Sequence, residues 1–599
     1  MMLRFAAAVI FIFIGNACRG ALPYEITTSA LTGDVIEGET LTNFSRFVAP
    51  SILSNGNTIF TVNTSSGEQA IVAEQKIAFL TGSQVGGAAA GVLFNFLGKA
   101  VVNENGEIVM SAIFKGTPID STNDSGVVIY NGSTVSMILQ KGDPAPETSD
   151  TFGNIGGLGH SNNGYLVFST NLTNSNENAI YFGNGQTLNL LDRTGTMTGD
   201  DKLIATSGPS ISDVLDPIGD VLAIALWTRV YVDQITLAER TEAVFSAGLP
   251  SAAVLWETGD SGFGLPPNTT TTSMFVPGLL DHDGNSNDAF PAFVDYEGET
   301  NGRSVHVFNF DLNGPSVTGG RSVAKTGDPV PQLFTFEFAI FSTYVANTAG
   351  NVAGLFDAVP RSDETSPGPQ EGLAPVQGVW FEDSSGILQL GGHNGQQAPG
   401  LAAEVTLQQI SFPAFNALNQ VAFSSKLAGP GVEGSVNDEA IWATDLGGDL
   451  QLVVRTGDLF DVDDDPNVED LRTINDIGVI ASSGGTGGQS TSFNDAGQLA
   501  LALNFSDFTS GVFVFDLAPP SSPVDLDDDG DVDGADFLLI QRSDPSLIPA
   551  WVAAYGNGAL SSATAAVPEP SAVTLLLPVM FFALARAKFD DGRQHLHHS

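Results

Sequence analysis

Short apolar runs that alternate with polar positions, each opened by a tight-turn signal, recur along most of this chain. The fullest copy is Asn103-Glu-Asn-Gly106 followed by Glu107-Ile-Val-Met-Ser-Ala-Ile-Phe114. Others begin at Ser161, Asp216, Asn347, Asn416 and Asn494, with Gly164, Gly219, Gly350, Asn419 and Gly497 at the fourth place. An earlier copy opens at Ser54-Asn-Gly-Asn57, and a degenerate one surrounds Asp283-Gly284-Asn285. Asn and Gly tolerate positive φ, so each tetrapeptide suits a tight connection. The period-two run after it buries one face of a strand.

Two further elements complete each unit. A short apolar strand follows the run, as in Gly126-Val-Val-Ile-Tyr130, Gly378-Val-Trp-Phe381 and Ala440-Ile-Trp442. A strand ending in Gly-Asp then closes it, as at Gly142-Asp143, Gly259-Asp260, Gly327-Asp328 and Gly457-Asp458. Three or four strands in units of roughly 55 to 78 residues, with few helix-length periodic segments, predict an all-β fold: a β-propeller of seven or eight blades over residues 45–517. Two or more β-sandwich domains are the alternative, against which the strict repeat argues.

The ends follow other rules. Arg4, an apolar run from Phe5 to Ile14 and the small residues Gly20 and Ala21 read as a secretory signal peptide over residues 1–21, with an uncleaved anchor, for which the run is short, as the alternative. The lone cysteine, Cys18, lies inside it, so the secreted chain is expected to hold no disulfide, thiolate metal site or nucleophilic thiol. At the other end, Val567-Pro568-Glu569-Pro570 precedes an apolar stretch from Ala572 to Ala585 and then Arg586, Lys588 and Arg593. This resembles the bacterial PEP-CTERM sorting signal over residues 567–599. The resemblance implies a hydrophobic sorting helix that holds the chain transiently in the inner membrane. It also implies processing by an exosortase-type enzyme and delivery to the cell surface or extracellular matrix. An ordinary tail anchor is the alternative, and both place the body outside the cytoplasm.

A Pro/Ser linker at 518–523 separates the body from an aspartate loop. Asp525, Asp527 and Asp529 occupy loop positions 1, 3 and 5, and Gly530 stands at 6. Asp531, Asp533 and Asp536 fall at 7, 9 and 12. That is the EF-hand spacing for Ca²⁺, with a short aspartate where glutamate usually closes the shell. Phe537 to Arg542 reads as a helix start, and Leu547 to Tyr555 as a second helix. With no helix before the loop, residues 524–558 resemble a dockerin-type module, although a second aspartate loop is lacking; residues 559–566 form a further linker.

The body resembles the secreted bacterial family with tandem Asn-x-x-Gly-x-x-Ala-Phe repeats, Asn416 to Phe423 being the nearest match. That resemblance implies no catalytic residues. Gly259-Asp260-Ser261-Gly262 spells a serine-protease tetrapeptide, but it is one unit's copy of the Gly-Asp closure and lacks a partner base. The acidic runs Asp281–Asp288 and Asp461–Glu469 are candidate ion loops lacking glycine at position 6. Trp227, Trp256, Trp380 and Trp442 are candidate sugar platforms or core residues, with core favoured.

Charge adds an exclusion. The chain has 68 Asp+Glu against 22 Lys+Arg and a formal net charge of −46, which leaves no basic stripe for nucleic acid. The function expected from these features is a secreted, surface-sorted, non-enzymatic structural or interaction protein with a calcium loop beside its anchor. Extracellular polysaccharide or a matrix protein is the expected partner. The alternative is an extracytoplasmic polysaccharide hydrolase or lyase carrying a dockerin-like module.

Overall fold

A computed structural model describes residues 25–215, 221–236, 238–246, 253–275, 288–311, 316–361, 374–463, 468–485, 489–517, 524, 534–543 and 545–554. The chain divides into two units, Met1–Pro519 and Pro520–Ser599. The first is an eight-bladed β-propeller built from eight antiparallel sheets of four to six strands. Blade 2 is the plainest, with strands Val92–Val102, Ile108–Gly116, Ser125–Tyr130 and Val135–Gln140 paired in sequence order.

Ring closure comes from the chain's beginning. Strand Glu25–Leu31 pairs with Ser510–Asp516, so blade 8 takes its outer strand from the N-terminal side of the chain. Apolar faces of neighbouring sheets pack together in eight separate clusters, one at each of the eight blade junctions. The many phenylalanines fill these junctions. Phe338, Phe341, Phe356 and Trp380, for example, pack edge-to-face and stacked between blades 5 and 6. Each such ring stabilises the fold by about 1.5–3 kcal/mol through burial.

Both repeated motifs have structural explanations. The glycine of every Gly-Asp closure, or its equivalent, donates its N–H across the blade junction to the first strand of the next sheet. There are eight such bonds, from Gly33, Gly82, Gly142, Gly195, Gly259, Gly327, Gly395 and Gly457, at 2.7–2.9 Å. Gly142 shows why glycine is required: its φ is +90°, and a Cβ would lie 2.8 Å from the Thr122 carbonyl oxygen. The following aspartate caps the turn. Asp260 Oδ2 accepts from the Glu257 N–H at 2.9 Å, so Gly259-Asp260-Ser261-Gly262 is a blade connector, as expected from the repeat.

The Asn-x-x-Gly tetrapeptides join the first strand of a blade to its second. In blade 2 the Asn103 Oδ1 accepts from the N–H groups of Asn105 and Glu107, while Gly106 closes the turn at φ +76°. The sequence unit starts at this turn and so misses the strand before it. Trp380 and Trp442 accordingly sit on the third strands of blades 6 and 7, not the second, and all four candidate tryptophans are core, at most 3% exposed.

In the second unit, helix α1 (Gly534–Ser543) and helix α2 (Ile548–Ala554) agree with the two expected helices. Val524 and Ile540 are buried there against Leu547, Ile548 and Trp551, and Trp551 packs on Phe537 at 4.6 Å. Residues 525–533 lie outside the described residues. They include Asp525, Asp527, Asp529, Asp531 and Asp533, while Asp536 falls on α1. The sorting segment 567–599, the signal segment 1–21 and the acidic run 281–287 also lie outside them. Among the described residues no helix is long and apolar enough to cross a membrane.

Candidate functional site: the propeller axis

The first strand of each blade runs along the axis from the Gly-Asp connector to the Asn turn, so the Asn turns gather at one end. There they are sewn to one another. Asn494 Nδ2 of blade 8 donates to the Leu53 carbonyl of blade 1 at 2.8 Å. Asn103 of blade 2 donates to Ser161 of blade 3 at 3.0 Å, and Asn347 of blade 6 to Asn416 of blade 7 at 2.7 Å. These asparagines are almost fully buried. Each uses its oxygen for its own turn and its nitrogen for the next blade, which is why neither aspartate nor leucine would serve at these places.

Inside this ring lies a polar cavity of about 230 Å³ that reaches residues of blades 1, 2, 3, 4, 6 and 8. Its carboxylates are Glu104 and Asp495. Asp495 Oδ1 accepts from the Ala417 N–H at 2.7 Å and Oδ2 from the Thr348 hydroxyl at 2.9 Å. Burial raises the Asp495 carboxyl above its usual value, the charge of Glu104 raises it further, and these two bonds oppose the rise. Glu104 Oε2 accepts from the Ser54 N–H at 2.9 Å. His160 also lines the cavity, is 1% exposed, and has neither ring nitrogen hydrogen-bonded among the described residues. Burial lowers it to about 4, so it is neutral at pH 7, with Nε2 3.7 Å from Glu107 Oε2.

A segment that the repeat does not foreshadow closes the axis. After Gly478 the first strand of blade 8 breaks off, and the chain returns to its second strand at Ser492 and Phe493, opposite Ala500 and Leu499. Between them, Val479 N–H donates to the Arg46 carbonyl of blade 1. Ser482 Oγ donates to Pro413 of blade 7, and Gly485 bridges to Asn347 of blade 6. Ser490 Oγ then accepts from the Val102 N–H of blade 2 at 2.9 Å, and Thr491 accepts from the Ile52 N–H of blade 1. Blades 2 and 6 stand opposite each other in a ring of eight, so the described parts of this Gly/Ser-rich stretch, 479–485 and 489–492, are held from both sides of the axis and act as a plug; residues 486–488 lie outside the described residues. Its small residues are what the crossing needs: a Cβ on Gly484 would lie 1.7 Å from the Ala346 carbonyl oxygen.

No group of three or more metal-ligating side chains occurs among the described residues. The three described body histidines, His160, His306 and His393, are not brought together as a base and its partners. His306, buried between blades 4 and 5, contacts the Phe263 carbonyl at 2.6 Å, and burial lowers it to about 4. His393 hydrogen-bonds the Asn394 carbonyl, and His282 lies outside the described residues. Asp461 Oδ1 caps the Asp470 N–H at 3.0 Å, tying the second acidic run to its own loop.

No curated protein matches the chain. Among solved structures, a puromycin-hydrolysing peptidase of Mycobacterium tuberculosis is 11% identical over 74% of this chain, with a TM-score of 0.34; the chain spans 57% of that protein's length. An ulvan lyase of polysaccharide lyase family PL25 is 10% identical over 81% of this chain and 95% of its own, with a TM-score of 0.29. A periplasmic gluconolactonase of Pseudomonas aeruginosa is 12% identical over 64% and 89%, with a TM-score of 0.25. Likenesses of this size carry no functional information. One family does match, in two overlapping stretches, residues 102–367 and 312–523, as a repeated blade unit would produce, and the chain belongs to that family, the family of unknown function DUF7453.

Proposed function

We propose that this protein is a secreted, surface-sorted structural or interaction protein whose propeller body is not an enzyme. The observation that carries the reading is the plug. Residues 479–485 and 489–492 are held from blades 1, 2, 6 and 7 at the axis, where an open funnel would bring side chains from several blades onto a substrate. The Asp495 carboxylate beside the plug is held by one backbone and one hydroxyl donor, an arrangement that ties blades 6, 7 and 8 together. Around this body, the reading places a signal peptide, a Ca²⁺ loop at Asp525 to Asp536 and an exosortase-processed tail after Pro568-Glu569-Pro570. The partner class is extracellular polysaccharide or a matrix protein.

The test is an assay of the full chain against a panel of bacterial and algal matrix polysaccharides, following new reducing ends and the ultraviolet absorbance of unsaturated uronic ends. The reading expects retention on one or more polymers without turnover. Sustained turnover abolished by Asp495→Asn would overturn it in favour of a polysaccharide-active enzyme.

A further inference from the structure

The opposite end of the axis carries a second cavity, of about 580 Å³, at the seam between blades 8 and 1. Here the first strand of blade 1 is interrupted. Glu39–Phe44 and Ser51–Ile52 pair with the same neighbour, Thr58–Thr64, and Ser45 to Pro50 bulge out between them. The bulge presents Phe47, 76% exposed, with the Arg46 guanidinium 4.6 Å from its ring centre. Arg46 is ion-paired with Asp476 of blade 8, so the two charges in the cleft neutralise each other.

Phe508 completes the rim from the blade 8 turn at Ser506 to Thr509. It is 95% exposed and has φ +68°. In the corresponding turn of blade 1 the left-handed place is held by Gly67, and in blade 3 by Asn176. A bulky residue with positive φ is strained, and an exposed phenyl ring gains nothing from burial. Neither the backbone nor the core explains Phe508.

Five carboxamides line the same cavity: Asn43, Asn63, Gln69, Asn475 and Asn504. Asn43 and Asn63 face each other directly across adjacent strands. None of the five side chains is hydrogen-bonded to the protein among the described residues, in contrast to the buried asparagines at the other end. Unpaired amides offer donors and acceptors without net charge, and flat rings offer apolar faces; together they match the hydroxyl edges and C–H faces of a pyranose.

We propose that this cleft binds a neutral oligosaccharide, with Phe508 and Phe47 stacking against sugar rings and the five amides hydrogen-bonding their hydroxyls. The proposal deepens the interaction reading above and rests on it only in taking a polymer as the partner. The experiment is calorimetric titration of the full chain with cellohexaose, maltohexaose and mannohexaose, each also run on Phe508→Gly and Asn63→Ala. At least one sugar is expected to bind. Phe508→Gly should then weaken it tenfold or more while melting at the same or a higher temperature, because glycine relieves the turn. No binding of any of the three sugars, or undiminished affinity in Phe508→Gly, would overturn the proposal. Cleavage of a bound sugar would sink the non-enzymatic reading and leave the cleft standing, whereas absence of binding would remove the cleft and leave the plug reading intact.

Discussion

The two ends of the propeller axis are made by different rules. At the Asn-turn end, asparagine recurs in blades 2, 6, 7 and 8; Asn103, Asn347 and Asn494 are each spent on their own turn and on a neighbouring blade's carbonyl, and Asn416 on Gln420 of its own turn. At the other end the repeat is broken, by the bulge at 45–50 and by a phenylalanine where glycine stands elsewhere. Amides are abundant at both ends; the buried turn asparagines of the first are hydrogen-bonded, whereas among the described residues the five amides of the second have no protein partner. The contrast teaches that repetition in this chain marks the frame, and that departures from repetition mark where the frame has been adapted.

The largest expected effect concerns the frame and comes from pH. His160 sits at the Asn-turn ring and His306 between blades 4 and 5; both are buried, and burial holds each at about 4. A histidine depressed below its unfolded value of about 6.5 contributes stability that is fully present above that value and is lost as pH falls through about 4. Each should cost about 3 kcal/mol over that window. Urea midpoints measured from pH 7 to pH 4 check this, and His160→Gln should remove its share of the slope.

Next is the asparagine stitch. Asn347→Leu removes the acceptor of the Asn351 N–H and one of two donors to the Asn416 carbonyl, which the Asn419 N–H still serves, and a loss of about 1–3 kcal/mol is expected. Asn105→Ala, which removes a bond from an exposed side chain to the Asn162 carbonyl, should cost about 0.5 kcal/mol or less. Equal costs for the two would erase the distinction between frame and surface. A smaller change follows at the plug: Gly484→Ala forces the crossing segment away from Ala346, with about 1–3 kcal/mol lost to overpacking and faster amide exchange confined to residues near 479–492.

Much of the frame was legible in the sequence because its two motifs are local. Gly-Asp and Asn-x-x-Gly each solve a turn problem within a few residues, so they recur recognisably and count the blades. The first strand of each blade was not legible. It is bulged in blade after blade, as between Phe94 and Phe96 or Phe338 and Ile340, which breaks the period-two alternation that marks a strand. The plug was hidden for a different reason: Ser482 to Ser490 reads as a Gly/Ser-rich loop, and only the positions of blades 2, 6 and 7 in space show what its described residues join. The seam cleft likewise joins Asn43 and Asn63 to Asn475 and Asn504 across the whole length of the body. One signal was present: a phenylalanine in Ser506-Asp507-Phe508-Thr509, a turn whose residues otherwise favour glycine or asparagine at that place.

Hydrogen exchange of the plug tests the central claim most directly. Val479 N–H is bonded to the Arg46 carbonyl, Ala481 N–H to Ser492 Oγ and Gly485 N–H to Ser483 Oγ, all inside the ring. These amides should exchange orders of magnitude more slowly than those of the exposed blade 1 turn at Ser65 to Gly67, approaching the rate of the blade strands. Exchange of residues 479–485 as fast as that surface turn would contradict a closed axis and reopen the funnel to a substrate.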